Sequence, residues 1–208
     1  MYIFEVLAEG KVQQTVAVYP GRFHPFHKGH RHVYDYLSKK YDRVYIATSG
    51  KVETNSPFTF DEKKKMMMLT GIPANAIVQE PQPYIAKNIL SKFNDSTTAV
   101  VFGVGAKDMD GEAARFKPGT KKDGSPTYYQ NNTDNKETFD THGYLEVVPT
   151  ATFKVLGKDA KSASELRKQY STLNDQQAQR FITDLFGQYD AEVQDILDTK
   201  LGRNNANG

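Results

Sequence analysis

Residues 20–30 read Pro20-Gly-Arg-Phe-His-Pro-Phe-His-Lys-Gly-His30, directly after an apolar run, Thr15-Val-Ala-Val-Tyr19. The apolar run predicts a strand, Gly21 a tight turn, and the residues from Gly29 onward a helix start. A strand that ends in a glycine turn and feeds a helix aims free backbone N–H groups at one point, and the helix dipole favours an anion there. Arg22, His27 and His30 place side-chain donors at the same point.

Each part of the segment has a chemical reason. His27 falls in the turn and His30 in the first helical turn, a spacing of three that puts both on one side. Two imidazoles can each donate an N–H to a phosphate without carrying charge. Gly29 leaves room for a close backbone approach, and Arg22 suits bidentate phosphate contact. A three-histidine metal site built from His24, His27 and His30 is disfavoured, because Pro25 and the glycine turn break the helix that would align them. A second packet, Ser162-Ala-Ser-Glu-Leu-Arg167, has two hydroxyls at a helix start and an arginine one turn in. It predicts another anion cradle through Ser162, Ser164 and Arg167.

Outward from these packets the chain alternates. A strand at Tyr2–Leu7 and a turn at Glu9-Gly10-Lys11 predict an opening hairpin with the run that ends at Tyr19. A helix from Gly29 to Tyr41 puts Val33, Leu37 and Tyr41 on one face. A strand over Val44–Ala47 follows. Thr59-Phe-Asp-Glu62 is a capping box and starts a helix that Gly71 and Pro73 stop near Thr70. Short strand at Ala76–Gln79, helix at Tyr84–Phe93 and strand at Thr98–Phe102 come next. Residues 104–141 are rich in Gly, Lys, Asp, Asn and Thr and read as a long exposed inserted loop. Strand returns at Tyr144–Val148. Helices then start at Ser162, at Asn174 (to Phe186) and at Ala191 (to Leu201). Alternating strands and helices predict a Rossmann-like, doubly wound parallel α/β sheet with a ligand at the carboxyl ends of its strands. The expected division is an α/β domain over 1–170, with 104–141 inserted, and a helical extension over 171–208.

Other features carry less. Lys63-Lys-Lys65 reads as a solvated helix face and Met66-Met-Met68 as partial core. Gly103 and Gly105 suggest a backbone approached closely by something. Neither a GxGxxG fingerprint nor a GxxxxGK[ST] loop is present. The 208 residues are 38% hydrophobic and 25% charged, with a formal net charge of +2. These values fit an ordinary soluble domain and give no argument for nucleic-acid binding. With no cysteine, disulfides, thiolate nucleophiles and Cys-type zinc sites are excluded. No apolar run nears the roughly 20 residues of a membrane span, so a cytoplasmic protein with no membrane partner is expected.

Gly21-Arg-Phe-His-Pro-Phe-His-Lys-Gly-His30 closely resembles the GRFxPFHxGH signature of the HxGH nucleotidyltransferases (cytidylyltransferase-like), above all the archaeal-type nicotinamide mononucleotide adenylyltransferases. Pro57-Phe-Thr59 resembles that group's NPFT segment, Val100-Val-Phe-Gly103 its VVFSGN run, and Ser162–Arg167 its SGTxIR motif. The resemblance spans about residues 15–170. It implies the nucleotidyltransferase fold, ATP bound through Gly21, Arg22, Phe23, His27, His30, Gly103, Ser162, Ser164 and Arg167, and Mg²⁺ held mostly by phosphates and water. His27, His30 and Arg167 are implied as the catalytic residues, with no metal-ligand residue in the protein itself. The implied reaction is transfer of AMP to a phosphate-bearing acceptor, with nicotinamide mononucleotide first. Phosphopantetheine, FMN, a phosphoalcohol with CTP, or a non-catalytic nucleotide-binding module are the alternatives. The chain departs from the family at His24, where glutamine is usual, at Ala163, and in having no tryptophan. Tyr84, near the place of the family's tryptophan, and Phe58 are the implied acceptor contacts. Family members are often homo-oligomers, which is the expectation here by analogy alone.

Overall fold

The computed structural model describes residues 12–110, 114, 116–160 and 162–203. The strand expected at Tyr2–Leu7 and its hairpin lie outside the described residues. Six strands form one sheet in the order β3-β2-β1-β4-β6-β5. They are β1 (Gln14–Pro20), β2 (Arg43–Thr48), β3 (Ile77–Gln79), β4 (Thr98–Val104), β5 (Tyr129–Asn131) and β6 (Gly143–Val147). Every pairing in it is parallel. The chain winds outward from β1 through α1 (Lys28–Ser38), β2 and α2 (Phe60–Leu69) to β3. It then passes through α3 (Lys87–Leu90) and crosses to β4 on the other side of β1. The topological switch therefore lies between β1 and β4, and the crevice at their carboxyl ends is the expected ligand position. Both strands are apolar because the sheet is covered on both faces: Val16, Val18, Val100, Val101 and Phe102 are buried.

Local chemistry fixes the helix starts. Thr59, Ser162 and Asn174 each cap a helix through a reciprocal box with the residue three positions on. The last helices are α4 (Ala163–Tyr170), α5 (Asp175–Phe186) and α6 (Ala191–Leu201). They share a core with α2, built from Phe58, Met66, Leu166, Tyr170, Phe181 and Phe186. Arg203 closes this layer by pairing with Asp198 at 2.6 Å and Asp175 at 2.7 Å.

Two expectations need correction. Residues 104–141 are not all exposed loop: Tyr129–Asn131 adds a strand to the sheet edge, and Phe116 is buried against Tyr84 and Tyr129. The helix expected over Tyr84–Phe93 shrinks to Lys87–Leu90, with Ala86 in a left-handed conformation before it. A two-stranded hairpin, β7 (Lys154–Val155) with β8 (Lys158–Asp159), precedes the Ser162 cap.

Candidate functional site

The quoted segment sits at the carboxyl end of β1, at the switch point. Phe23 has φ of 51°, and its ring folds back over residue 21. A Cβ there would lie 2.5 Å from that ring, so only glycine fits. His27 is the N-cap of α1, and its Nδ1 accepts from the Gly29 N–H at 3.1 Å. The His30 Nδ1 in turn accepts from the His27 N–H at 3.2 Å. This is a capping box in which imidazoles replace the usual hydroxyl and carboxylate. An accepting Nδ1 carries no proton, so these partners assign both neutral rings the Nε2–H tautomer. The two rings stack with centroids 3.8 Å apart.

Burial keeps these rings neutral. It lowers His27 to about 4. Burial and the neighbouring His27 hold His30 well below the usual histidine range. His24 is lowered to about 3, by burial first and then by Lys63, Arg167 and Arg22. At neutral pH, His27 and His30 each present an uncharged N–H donor.

Two compartments adjoin this segment. The first, about 340 Å³, is lined by Tyr19–Phe23, His27, Gly29, His30, Gly103, Gly105, Asp108 and Val148–Ala151, among others. The second, about 570 Å³, is lined by Arg22–His24, His30, Asn55, Ser56, Ser162–Ser164 and Arg167. Arg22, Phe23 and His30 belong to both walls. Among the described residues that line the second compartment none is acidic. The neighbouring Arg22 adds to burial in lowering Arg167 below the ordinary arginine value. Two guanidiniums that close, with neutral imidazole donors beside them, make a pocket that favours an anion. The Arg167 Nη1 also donates to the His24 carbonyl at 2.6 Å, tying the α4 turn to the β1–α1 loop across 143 residues of sequence.

The structure thus brings Gly21, Arg22, Phe23, His27, His30, Gly103, Ser162, Ser164 and Arg167 around adjoining cavities. Some expected roles change. The Ser162 hydroxyl donates to Glu165 Oε2 at 2.8 Å and accepts from the Glu165 N–H, so it is engaged by its own cap. At Gly103 a Cβ would lie 2.9 Å from Leu37 and 3.0 Å from Val148, so its lack of a side chain serves packing, while the residue still lines the first compartment. Phe58 is fully buried in the helical core and stacks on His24, so it has no face for an acceptor. Tyr84 packs on Phe116, and its carbonyl accepts from the Tyr129 hydroxyl at 2.6 Å. It is absent from the described lining of both compartments. Among the described residues no cluster of three or more His, Asp or Glu side chains could hold a metal.

Lys63 was not expected at the site at all. It is not solvated but fully buried. Its Nζ donates to Thr48 Oγ1 at 2.8 Å, to the Arg22 carbonyl at 3.4 Å and to the Ser49 carbonyl. The available signal was helical spacing: Lys63 lies three and four residues before the buried Met66 and Met67.

Residues 18–113 match the cytidylyltransferase-like family. Among curated proteins, the nicotinamide-nucleotide adenylyltransferase 1 of Sulfolobus acidocaldarius is 35% identical over 81 residues. That match covers 35% of this chain and 46% of the relative, less than half its length. Among solved structures, a bifunctional NMN adenylyltransferase/ADP-ribose pyrophosphatase from Francisella tularensis matches with a TM-score of 0.53 at 19% identity. The match covers 90% of this chain and 51% of that one. A structure of the Francisella protein complexed with AMP and a manganese ion matches with a TM-score of 0.50 at 19% identity, covering 90% and 50%. At such identity the structural likeness establishes the shared α/β nucleotidyltransferase fold.

Proposed function

From the premise that residues 18–113 are cytidylyltransferase-like, we propose that this chain is an ATP-dependent nucleotidyltransferase. It moves AMP onto the phosphate of nicotinamide mononucleotide, giving NAD and pyrophosphate. The observation that carries the reading is the wall shared by the two compartments, where His30 and Arg22 stand between a glycine-lined crevice and the Arg167 pocket. Adenosine fits the first compartment, against Gly103 and the Val148–Ala151 segment. The triphosphate then crosses the shared wall toward Arg22, Ser164 and Arg167. An oxygen of the acceptor phosphate attacks the α-phosphorus. The bond from that phosphorus to the bridging oxygen of the β-phosphate breaks, and pyrophosphate leaves.

The protein's part in this step is positioning and charge stabilisation. The Nε2–H groups of His27 and His30 donate to the α-phosphate oxygens as charge builds on them. Arg22 and Arg167 hold the β- and γ-phosphates. Mg²⁺ would be held mainly by the phosphates and water, as this ion commonly is in such sites. Its chemistry there is neutralisation of the leaving pyrophosphate. The Francisella protein complexed with AMP and a manganese ion is in keeping with use of a divalent ion, and the name of the Sulfolobus relative supports nicotinamide mononucleotide as the acceptor. The same reading makes the chain a cytoplasmic enzyme of small-molecule metabolism.

The test is incubation with Mg-ATP and separate acceptors: nicotinamide mononucleotide, its nicotinate analogue, phosphopantetheine and FMN. Pyrophosphate is followed and products are identified by mass. NAD is expected from nicotinamide mononucleotide. ATP binding by calorimetry with no pyrophosphate from any acceptor would replace the enzyme by a nucleotide-binding module.

A further inference from the structure

Lys63 is a fully buried cation, and its hydrogen-bond partners among the described residues are neutral oxygens. Burying an ammonium without a carboxylate is costly, and lysine is among the side chains least often found fully buried. Burial lowers its pKa to about 8, in line with that cost. An apolar residue would serve the core better, so the charge or its hydrogen bonds have a use.

The partners indicate the use. An ammonium has three protons, and here three acceptors receive them: Thr48 Oγ1 and the carbonyls of Ser49 and Arg22. Thr48 and Ser49 end β2, and Arg22 follows the end of β1. The Thr48 hydroxyl itself donates to the Arg22 carbonyl at 3.4 Å. The Arg22 carbonyl is thus held by two donors, while its side chain is exposed and lines both compartments. Lys63 lies beneath this point, on α2, and its charge acts on His24 together with those of Arg167 and Arg22.

We propose that Lys63 is a positioning residue: through the Arg22 carbonyl and Thr48 it fixes the loop that aims the Arg22 guanidinium at the nucleotide phosphates. It acts through Arg22 and does not itself touch the ligand. An anion bound above also returns part of the cost of the buried charge, so Lys63 and ligand support each other. The inference rests on the reading of the site as an ATP site.

The test is a double-mutant cycle with the full chain, with ATP affinity read by calorimetry and KM for ATP by pyrophosphate release. Lys63→Met is expected to weaken ATP binding and raise KM roughly 10-fold, the scale of a lost charge-assisted hydrogen-bond network. Lys63→Arg, which keeps charge and donors, restores at least half of that loss on a logarithmic scale. In the Arg22→Ala background, Lys63→Met changes affinity less than 3-fold, because the group it positions is gone. Thr48→Val, which leaves Lys63 in place, reproduces part of the effect and keeps the inference testable if Lys63→Met does not fold. Additive losses across Lys63→Met and Arg22→Ala, or wild-type affinity in both Lys63→Met and Thr48→Val, overturn the inference while leaving the ATP reading intact. Failure of the wild-type chain to bind ATP overturns that reading itself.

Discussion

Replacing His30 with alanine separates the catalytic role proposed for its imidazole from the structural one. In the folded protein the His30 Nδ1 accepts from the His27 N–H at 3.2 Å, and its ring packs on Phe23 and Phe26 at 5.1 Å each. Losing that capping bond costs about 1 kcal/mol, and losing the aromatic contacts costs about 1 kcal/mol more. The sum is small against the roughly 5–15 kcal/mol that holds an ordinary domain together, so the variant folds. The catalytic loss is larger. Deleting one preorganised donor to developing oxyanion charge typically costs about 10²–10³ in kcat. The assay is steady-state pyrophosphate release with Mg-ATP and nicotinamide mononucleotide, paired with urea unfolding of the same preparation. His32→Ala is the control, since His32 is exposed on the same helix and should leave kcat within 2-fold. A His30→Ala enzyme within 3-fold of wild type in kcat would refute the donor role and the tautomer argument beneath it.

The remaining expectations concern pH and the core. His24, His27 and His30 all have folded pKa values below the ordinary 6.5, so they bind fewer protons folded than unfolded. The stability tied to them is complete above pH 6.5 and declines as pH falls from there toward 4; urea unfolding between pH 4 and 7 measures this, and pH-independent stability would contradict it. Because these groups stay neutral, kcat should show no titration near 6.5, whereas a limb there would mean a histidine works as a cation. Phe58→Ala removes a fully buried ring and should cost about 3–5 kcal/mol in unfolding free energy, with the acceptor KM changed less than 3-fold; a specific rise in that KM would return Phe58 to the acceptor site. Arg203→Ala removes an ion-pair partner of Asp198, which is 9% exposed at its side chain and keeps hydrogen bonds such as that from the Tyr170 hydroxyl, and should cost about 3–5 kcal/mol without altering ATP affinity.

Features set by local chemistry were legible in the sequence. The caps at Thr59, Ser162 and Asn174 mark where three helices begin, and α5 and α6 have the bounds that caps and glycines indicate. The apolar runs of β1, β2, β4 and β6 are buried on both faces, so they read clearly. What was missed depends on tertiary context. β5 has three residues, Tyr-Gln-Asn, with no apolar pattern of its own; it forms because the open edge of β6 offers backbone partners. The burial of Lys63 was hidden by two following lysines that read as a solvated face. Its environment comes from Thr48 and Ser49 at the end of β2 and Arg22 after β1, two segments distant from it in sequence. Phe58 precedes a helix cap and looked available to a ligand, but its core is supplied by α4 and α5 from the far end of the chain. The two packets, Gly21–His30 and Ser162–Arg167, were each visible alone. Their junction through the Arg167 contact to the His24 carbonyl is a property of the fold.

The central claim is that one triphosphate bridges the imidazole pair and the Arg167 turn. A crystal structure of the chain with Mg²⁺ and a non-hydrolysable ATP analogue tests it directly. The α-phosphate oxygens are expected within hydrogen-bond distance of Nε2 of His27 and of His30, with the terminal phosphates on Arg22 and Arg167. Phosphates bound elsewhere, with both Nε2 atoms facing only water, would contradict it.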